Sequence, residues 1–120
     1  MTITIEIEER RKAEPSEIQI LQNQLGEWSD STFGLLRHPI APLAHLVKEL
    51  RELIDCPTDR MEYADCMMLL LDAYRMIGGS ADDLVQACYE KLEINKQRKW
   101  GEPDEHGVVE HIRTEDKTDG

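Results

Sequence analysis

An all-α fold, four helices packed as a bundle, is the fold class this sequence predicts. Three observations lead there. Four stretches, starting near Ser16, Pro39, Asp59 and Ser80, carry apolar residues at helical spacing. The breaks between them are short and hold residues that end or begin helices, notably Gly34, Pro57 and Gly78–Gly79. Only Thr2 to Glu8 alternates, with Ile3, Ile5 and Ile7 between polar residues, as an extended segment or an arm would.

In chain order, the first helix is predicted from Ser16 to Trp28, on the spacing of Ile18, Leu21, Leu25 and Trp28. The stretch SDSTFGLLRH, Ser29 to His38, reads as a loop. The second helix is predicted over Pro39–Asp55. Pro39 fits a first turn, and Leu43, Leu46, Val47, Leu50, Leu53 and Ile54 form its stripe. The third runs from Asp59 to Ile77 with Thr58 as its cap. It is apolar nearly all round, as a central helix would be. Gly78–Gly79 ends it, and Ser80 with Asp83 resembles a capping box opening a fourth helix to about Lys99. The predicted organisation is an arm over 1–15, one domain over 16–113 and a polar tail over 114–120, with Val108, Val109 and Ile112 available to dock on the domain.

A chain of 120 residues is one domain with a modest core, and helix packing between copies would enlarge it. The net charge of -11, from 25 acidic and 14 basic residues, excludes a protein built to grip a nucleic-acid backbone. It does not exclude a nucleotide, because carboxylates recruit divalent cations and cations hold phosphates. No window approaches the roughly 20 apolar residues of a membrane span. The N-terminus lacks a signal layout. Cys56, Cys66 and Cys88 have no C-x-x-C spacing and leave one thiol over in any disulfide scheme, so reduced thiols in a cytoplasmic protein are expected.

The informative residues are charges where charges are expensive. At about 100° per residue, His45, Glu49 and Glu52 share one flank of the second helix's stripe. Glu62 and Asp65 repeat the i, i+3 spacing on the third helix, and Asp72 lies a heptad beyond. A helix with so little solvent face cannot leave all these acids solvated. Grouped, they repel, and a shared divalent cation removes the penalty. All-oxygen ligation selects magnesium, calcium or manganese over zinc. The plain alternative is pairing with Lys48, Arg51, Arg60 or Arg75. The fourth helix places Lys91, Asn95 and Arg98 on the face of Leu84, Ala87 and Cys88. They are either snorkelling side chains near a helix end or phosphate ligands.

Glu49-Leu-Arg-Glu52 followed by Glu62-Tyr-Ala-Asp65 resembles the E-x-x-E…E-x-x-D signature of the MazG-like all-α NTP pyrophosphohydrolase superfamily. WSDSTFG, HPIAPLAHLVKEL, MEYADCMMLLLDA, KLEINKQRKW and VEHIR resemble its dATP/dGTP pyrophosphohydrolase branch of phages and prophages. The likeness covers roughly Ser16 to Arg113. Only residues 53–61 separate the two motifs, a shorter gap than in many members, which leaves a tight hairpin.

The resemblance implies a MazG-like four-helix bundle that oligomerises as a dimer or tetramer. It implies Glu49, Glu52, Glu62 and Asp65 as ligands for two or more Mg2+ ions, with Mn2+ able to substitute. Lys91, Asn95, Lys96 and Arg98 would bind phosphates. Water would attack the α-phosphorus of a purine nucleotide, releasing monophosphate and pyrophosphate, in the bacterial host's cytoplasm if a phage encodes the chain. Glu49 or Glu52 would take the proton.

Trp28 and Phe33 either stack on a base or, for Trp28, complete the first helix's core. His38 and His45 either donate to substrate or make local hydrogen bonds. A non-catalytic helical interaction module of a phage is the rival reading. A di-metal redox bundle is disfavoured, because such sites use Glu-x-x-His and no histidine stands at that spacing here.

Overall fold

The computed structural model describes residues 14–113. The alternating Ile3–Ile7 segment and the tail over 114–120 lie outside the described residues. Four α-helices and no strand are present among the described residues: α1 (Glu17–Phe33), α2 (Ile40–Asp55), α3 (Arg60–Met76) and α4 (Ala81–Gln97). The chain divides into two compact units, 1–84 and 85–120. No described helix is long and apolar enough to cross a membrane.

In the first unit, α3 packs against both α1 and α2. Ser16 caps α1, its Oγ accepting from Gln19 N at 3.1 Å. The helix runs on through Ser29–Phe33, where periodicity predicts a loop, because of which face it buries. Its buried residues are Gln22, Gly26 and Ser29, a polar and small strip, whereas Leu21 and Trp28 of the apolar stripe are exposed.

Each polar member of that strip has partners. Gln22 Nε2 donates to Leu71 O and Gly79 O at 3.1 Å, and its Oε1 accepts from Ala81 N at 2.8 Å. Gly26 admits Arg75, since a Cβ there would stand 2.8 Å from Arg75 Cδ. Ser29 donates to Asp72 Oδ2 at 2.8 Å. Gln22 therefore ties α1 to the end of α3 and the start of α4. Gln22→Leu should lower stability by about 2–3 kcal/mol, because it strands a buried N–H and two carbonyls. A lower urea midpoint with unchanged slope would register it.

Helices α2 and α3 form a hairpin closed by Cys56–Asp59. Pro42 lies in α2's first turn, where it removes no helical bond, and is buried. Asp59, not Thr58, caps α3: its carboxylate accepts from Met61 N at 3.0 Å. The charged acceptor one residue later is the stronger N-cap and outcompetes the threonine. Leu71, Asp72 and Ala73 are the buried centre of α3. Leu46, Glu49 and Leu53 are the half-buried members of their stretch of α2, at heptad spacing, so a glutamate sits between two leucines. Along α3, Glu62, Asp65, Leu69 and Asp72 follow the same spacing and are all half-buried or buried. Three of those four seam positions carry acids. Leu43, Val47, Leu50 and Ile54 of the predicted stripe are instead exposed.

Ser80 opens α4, its Oγ accepting from Asp83 N at 3.1 Å as the capping box predicts. The Asp83 carboxylate accepts instead from the Tyr74 hydroxyl. Most of α4 belongs to the second unit. There the chain turns back beyond the helix: Gly101 N donates to Glu110 O at 2.9 Å, and Trp100 pairs with His111. Trp100 Nε1 donates to Asn95 O at 2.9 Å. Val108, Val109 and Ile112 stay exposed, so backbone bonds rather than apolar docking hold this return.

Candidate active site

The closed hairpin sets α2 antiparallel to α3, which brings the middle of one seam against the start of the other. Glu49, Glu52 and Glu62 converge there, each offering a carboxylate oxygen within 4.8 Å of the others. Glu49 and Glu62 are half-buried and Glu52 is exposed. Asp65, the fourth acid of the paired motifs, is outside that trio but close enough for its charge to act on Glu52 and Glu62. His45 Nε2 meets Glu49 Oε1 at 2.9 Å, a local i, i+4 pair.

Three carboxylates this close cannot all stay ionised. The Glu62 carboxyl is pushed up to about 7, first by its hydrogen bond to Glu49 and then by burial and the charges of Glu49, Glu52 and Asp65. Glu52 is raised as well, chiefly by Glu49. Glu49 is held below the usual carboxylate range, chiefly because it accepts from Glu62. Burial, then Glu49, Glu62 and Asp65, push the neighbouring Cys66 thiol up, away from the reactive thiolate.

Glu62 Oε2 is buried with no hydrogen-bond partner. An orphaned oxygen, a proton held between two acids and an all-oxygen donor set together fit a hard divalent cation.

The pH consequence has a definite sign. A folded-state pKa raised to about 7 favours the folded protein while Glu62 is protonated. That contribution is complete below the ordinary carboxylate range and is lost as pH rises through about 7. Glu49, whose pKa is lowered, contributes in the opposite direction. In a chelator, the melting temperature of the wild type should therefore fall relative to Glu62→Gln between about pH 5 and about pH 8. Differential scanning fluorimetry across that range checks it.

From the acids a cavity of about 340 Å³ extends along the hairpin. Glu49, Asp65, His45, Ala41, Pro42, Met68 and Leu69 line it, together with Leu25, Trp28, Phe33, Arg37 and Asp72. Trp28 is therefore not core. It meets Phe33 edge-on, centroids 5.4 Å apart, and the Arg37 guanidinium lies 5.0 Å from the Phe33 ring centroid. Phe33 ends α1 rather than sitting in a loop.

Behind the aromatic pair is a network that the sequence does not announce. Asp72 accepts from Ser29, from Arg37 Nη2 at 3.0 Å, and from Arg75 Nε and Nη2 at 3.0 and 2.9 Å. Arg75 also grips Asp30 with both Nη atoms, at 3.2 and 2.9 Å. Asp72 is thus the acid for which ordinary ion pairing is the right account. Hydrogen bonds from Ser29, Arg75 and Arg37 hold its carboxyl below the usual range despite the opposing effect of burial. No spacing rule marks Arg37 or Ser29, because both fall in a stretch whose composition reads as loop.

In the second unit, Lys91 is exposed and Asn95 half-buried. Arg98 Nη1 donates to Asn95 Oδ1 at 3.5 Å, and Lys96 forms an exposed ion pair with Glu93 at 3.1 Å. His38 Nδ1 accepts from Ile40 N at 3.1 Å, a local bond at the entry to α2.

Known proteins resemble this chain in sequence, and one of them in fold. The Eaa protein of Salmonella phage P22 is 41% identical over 93 residues, which are 78% of this chain but 29% of that protein. The chain therefore spans less than a third of that relative's length. The dATP/dGTP diphosphohydrolase of cyanophage S-2L is 33% identical over 100 residues, 82% of this chain and 90% of the relative. A solved structure of the cyanophage S-2L MazG-like pyrophosphohydrolase, bound to dGDP and three catalytic Mn2+ ions per active site, is 32% identical with a TM-score of 0.67. It covers 82% of this chain and 94% of that one. Residues 21–119 match the dATP/dGTP pyrophosphohydrolase family along nearly the whole described chain. An all-α chain with paired acid motifs on a helical hairpin, this protein belongs to the dATP/dGTP pyrophosphohydrolase family.

Proposed function

We propose that the chain hydrolyses a purine deoxynucleoside triphosphate, dATP or dGTP, to the monophosphate and pyrophosphate, with Mg2+ as cofactor and Mn2+ able to replace it. The carrying observation is the trio Glu49, Glu52 and Glu62 at the edge of a cavity walled by Trp28 and Phe33. Acids without cations would repel a triphosphate, and an aromatic cavity without a phosphate anchor would hold only a base. Together they accommodate both ends of a nucleotide.

Glu49, Glu52, Glu62 and Asp65 would hold the ions. Bound divalent ions supply the positive charge that phosphates require and acidify the attacking water. His45 fixes the Glu49 carboxylate through their 2.9 Å contact. Glu49 or Glu52 accepts the proton that the attacking water loses. Phe33 and Trp28 offer ring faces and edges to the base, and the apolar wall of Met68 and Leu69 excludes water from the sugar. Lys91, Asn95, Lys96 and Arg98 keep the role of phosphate ligands that the family resemblance gives them. The S-2L relative's dGDP and Mn2+ ions support the same substrate and metal class.

The protein would act in the cytoplasm, the bacterial host's if a phage encodes it, as a homo-oligomer. The exposed Leu43, Val47, Leu50 and Ile54 on one α2 face support a helical partner, a second copy of the chain.

Purified protein incubated with Mg2+ or Mn2+ and a panel of ribo- and deoxynucleoside triphosphates should release pyrophosphate from dATP or dGTP. Release of inorganic phosphate alone would contradict the reaction. No turnover with any nucleotide or metal would favour a non-catalytic interaction module.

A further inference from the structure

We propose that Arg37 is a positioning residue, which holds the Phe33 ring in place for a stacked base. This rests on the reading that the base packs against Trp28 and Phe33, and it goes further by naming what keeps that wall rigid.

Phe33 is poorly held by its own helix. It is the last residue of α1, and Gly34, at a φ of 94°, ends the helix just after it. The ring is 55% exposed, so close packing does not lock its rotamer. A free ring must be ordered when a base stacks on it, and ordering one such side chain weakens binding by roughly two- to tenfold. Two neighbours order it beforehand. Trp28 meets it edge-on, and the Arg37 guanidinium lies over it, 5.0 Å from the ring centroid. More than half of the side chain's surface is still open to a base.

Arg37 is itself fixed. Its Nη2 donates to Asp72 Oδ2 at 3.0 Å and to Ser29 Oγ, and Ser29 donates to the same Asp72 oxygen at 2.8 Å. This closed ring of hydrogen bonds ties α1, the linker to α2 and α3 together. Arg75 holds Asp72 from its other oxygen and grips Asp30 as well. The Nη2 protons of Arg37 are thus engaged inside the protein, and its Nε is buried. What these groups leave for a neighbour is the flat face of the guanidinium, which stacks on an aromatic ring without using a donor.

The position fits that task. Arg37 lines the cavity and also a polar pocket of about 170 Å³ bordered by Asp30 and Arg75, so it is the wall the two share. Without its planar group, Phe33 would lose its backing and gain access to that polar pocket.

Steady-state kinetics with dGTP, dATP and Mn2+ test the proposal in the wild type, Arg37→Lys, Phe33→Leu and the double variant. Lysine keeps a cation beside Asp72 but lacks the flat face. Arg37→Lys should raise KM for both nucleotides by roughly three- to tenfold and change kcat by less than about twofold. Its Mn2+ binding should match the wild type. In the Phe33→Leu background the same substitution should change KM by less than about twofold, because the ring it acts through is gone.

Phe33 is the chain's only phenylalanine, so the wild type made with para-fluorophenylalanine reports on this ring by fluorine NMR with no other change. Its one resonance should move when dGDP is added with Mg2+, at a concentration that inhibits dGTP hydrolysis. An unmoved resonance would overturn the proposal. So would an unchanged KM in folded Arg37→Lys, or an equal rise in KM with and without the Phe33 ring. These results leave the hydrolase reading intact. An unchanged KM in Phe33→Leu would sink the base site on which the proposal rests, and hydrolysis of neither nucleotide by the wild type would sink the hydrolase reading itself.

Discussion

Glu49→Gln is expected to remove pyrophosphohydrolase activity by at least about a hundredfold, while the metal-free protein stays folded. Removal of a residue that only orients a metal ligand costs roughly ten- to a hundredfold, and a ligand should cost more. Glu49 has three connections at once: the trio's shared proton, the contact with His45 and the cavity lining. Glutamine keeps its volume in the α2 seam between Leu46 and Leu53 but removes the charge a cation needs. It also relieves repulsion with Glu52 and Glu62, so the melting temperature in chelator should hold or rise. The protective effect of added Mn2+ on melting should disappear along with the activity. A variant that binds Mn2+ normally and hydrolyses dGTP at the wild-type rate would remove Glu49 from the site. A structural acid would give the reverse pattern, lost stability with activity retained in whatever remains folded.

Asp72→Ala should show the stability loss of that reverse pattern. Asp72 is 5% exposed and accepts from two guanidiniums and a serine. Its loss leaves Arg37 and Arg75 in a partly buried place without their common counter-ion, although Arg75 keeps Asp30. Breaking a buried pair costs about 3–5 kcal/mol when both members are fully enclosed. Both guanidiniums here keep some solvent, so about 2–3 kcal/mol is expected. For a domain of this size that lowers the melting temperature by roughly 10 °C or more. Thermal unfolding in chelator, where the metal site contributes nothing, isolates the effect. A melting temperature within about 2 °C of wild type would mean that the Asp72 network adds no net stability.

The contrast between Glu49 and Asp72 also marks where sequence reading reaches its limit. Helix number, the short hairpin and the breaks at Gly78–Gly79 were legible, because apolar periodicity and backbone-breaking residues act locally. The convergence of Glu49, Glu52 and Glu62 was legible too, since i, i+3 spacing on two helices joined by a tight turn leaves few other arrangements.

Whether Asp72 joins those acids or leaves them depends on Arg37 and Ser29, which come from a different helix and loop. No period in the sequence connects them. The extent of α1 was misread for the same reason. Ser29 counts as a loop former until a buried carboxylate accepts its hydrogen bond, and Gln22 counts as a surface residue until two carbonyls and an N–H surround it. Most of the predicted α2 stripe is exposed, because periodicity identifies an apolar face without naming what covers it.

The account stands on three glutamates sharing one cation site. Mn2+ binding to the metal-free protein at about pH 8, followed by the loss of the free-ion electron paramagnetic resonance signal, tests that most directly, because the shared proton is then released. Saturable binding in the wild type that disappears in Glu49→Gln and in Glu62→Gln, with Asp72→Asn binding as the wild type does, is the predicted result. Binding that survives both glutamate substitutions, or no binding by the wild type with or without dGTP, would contradict it.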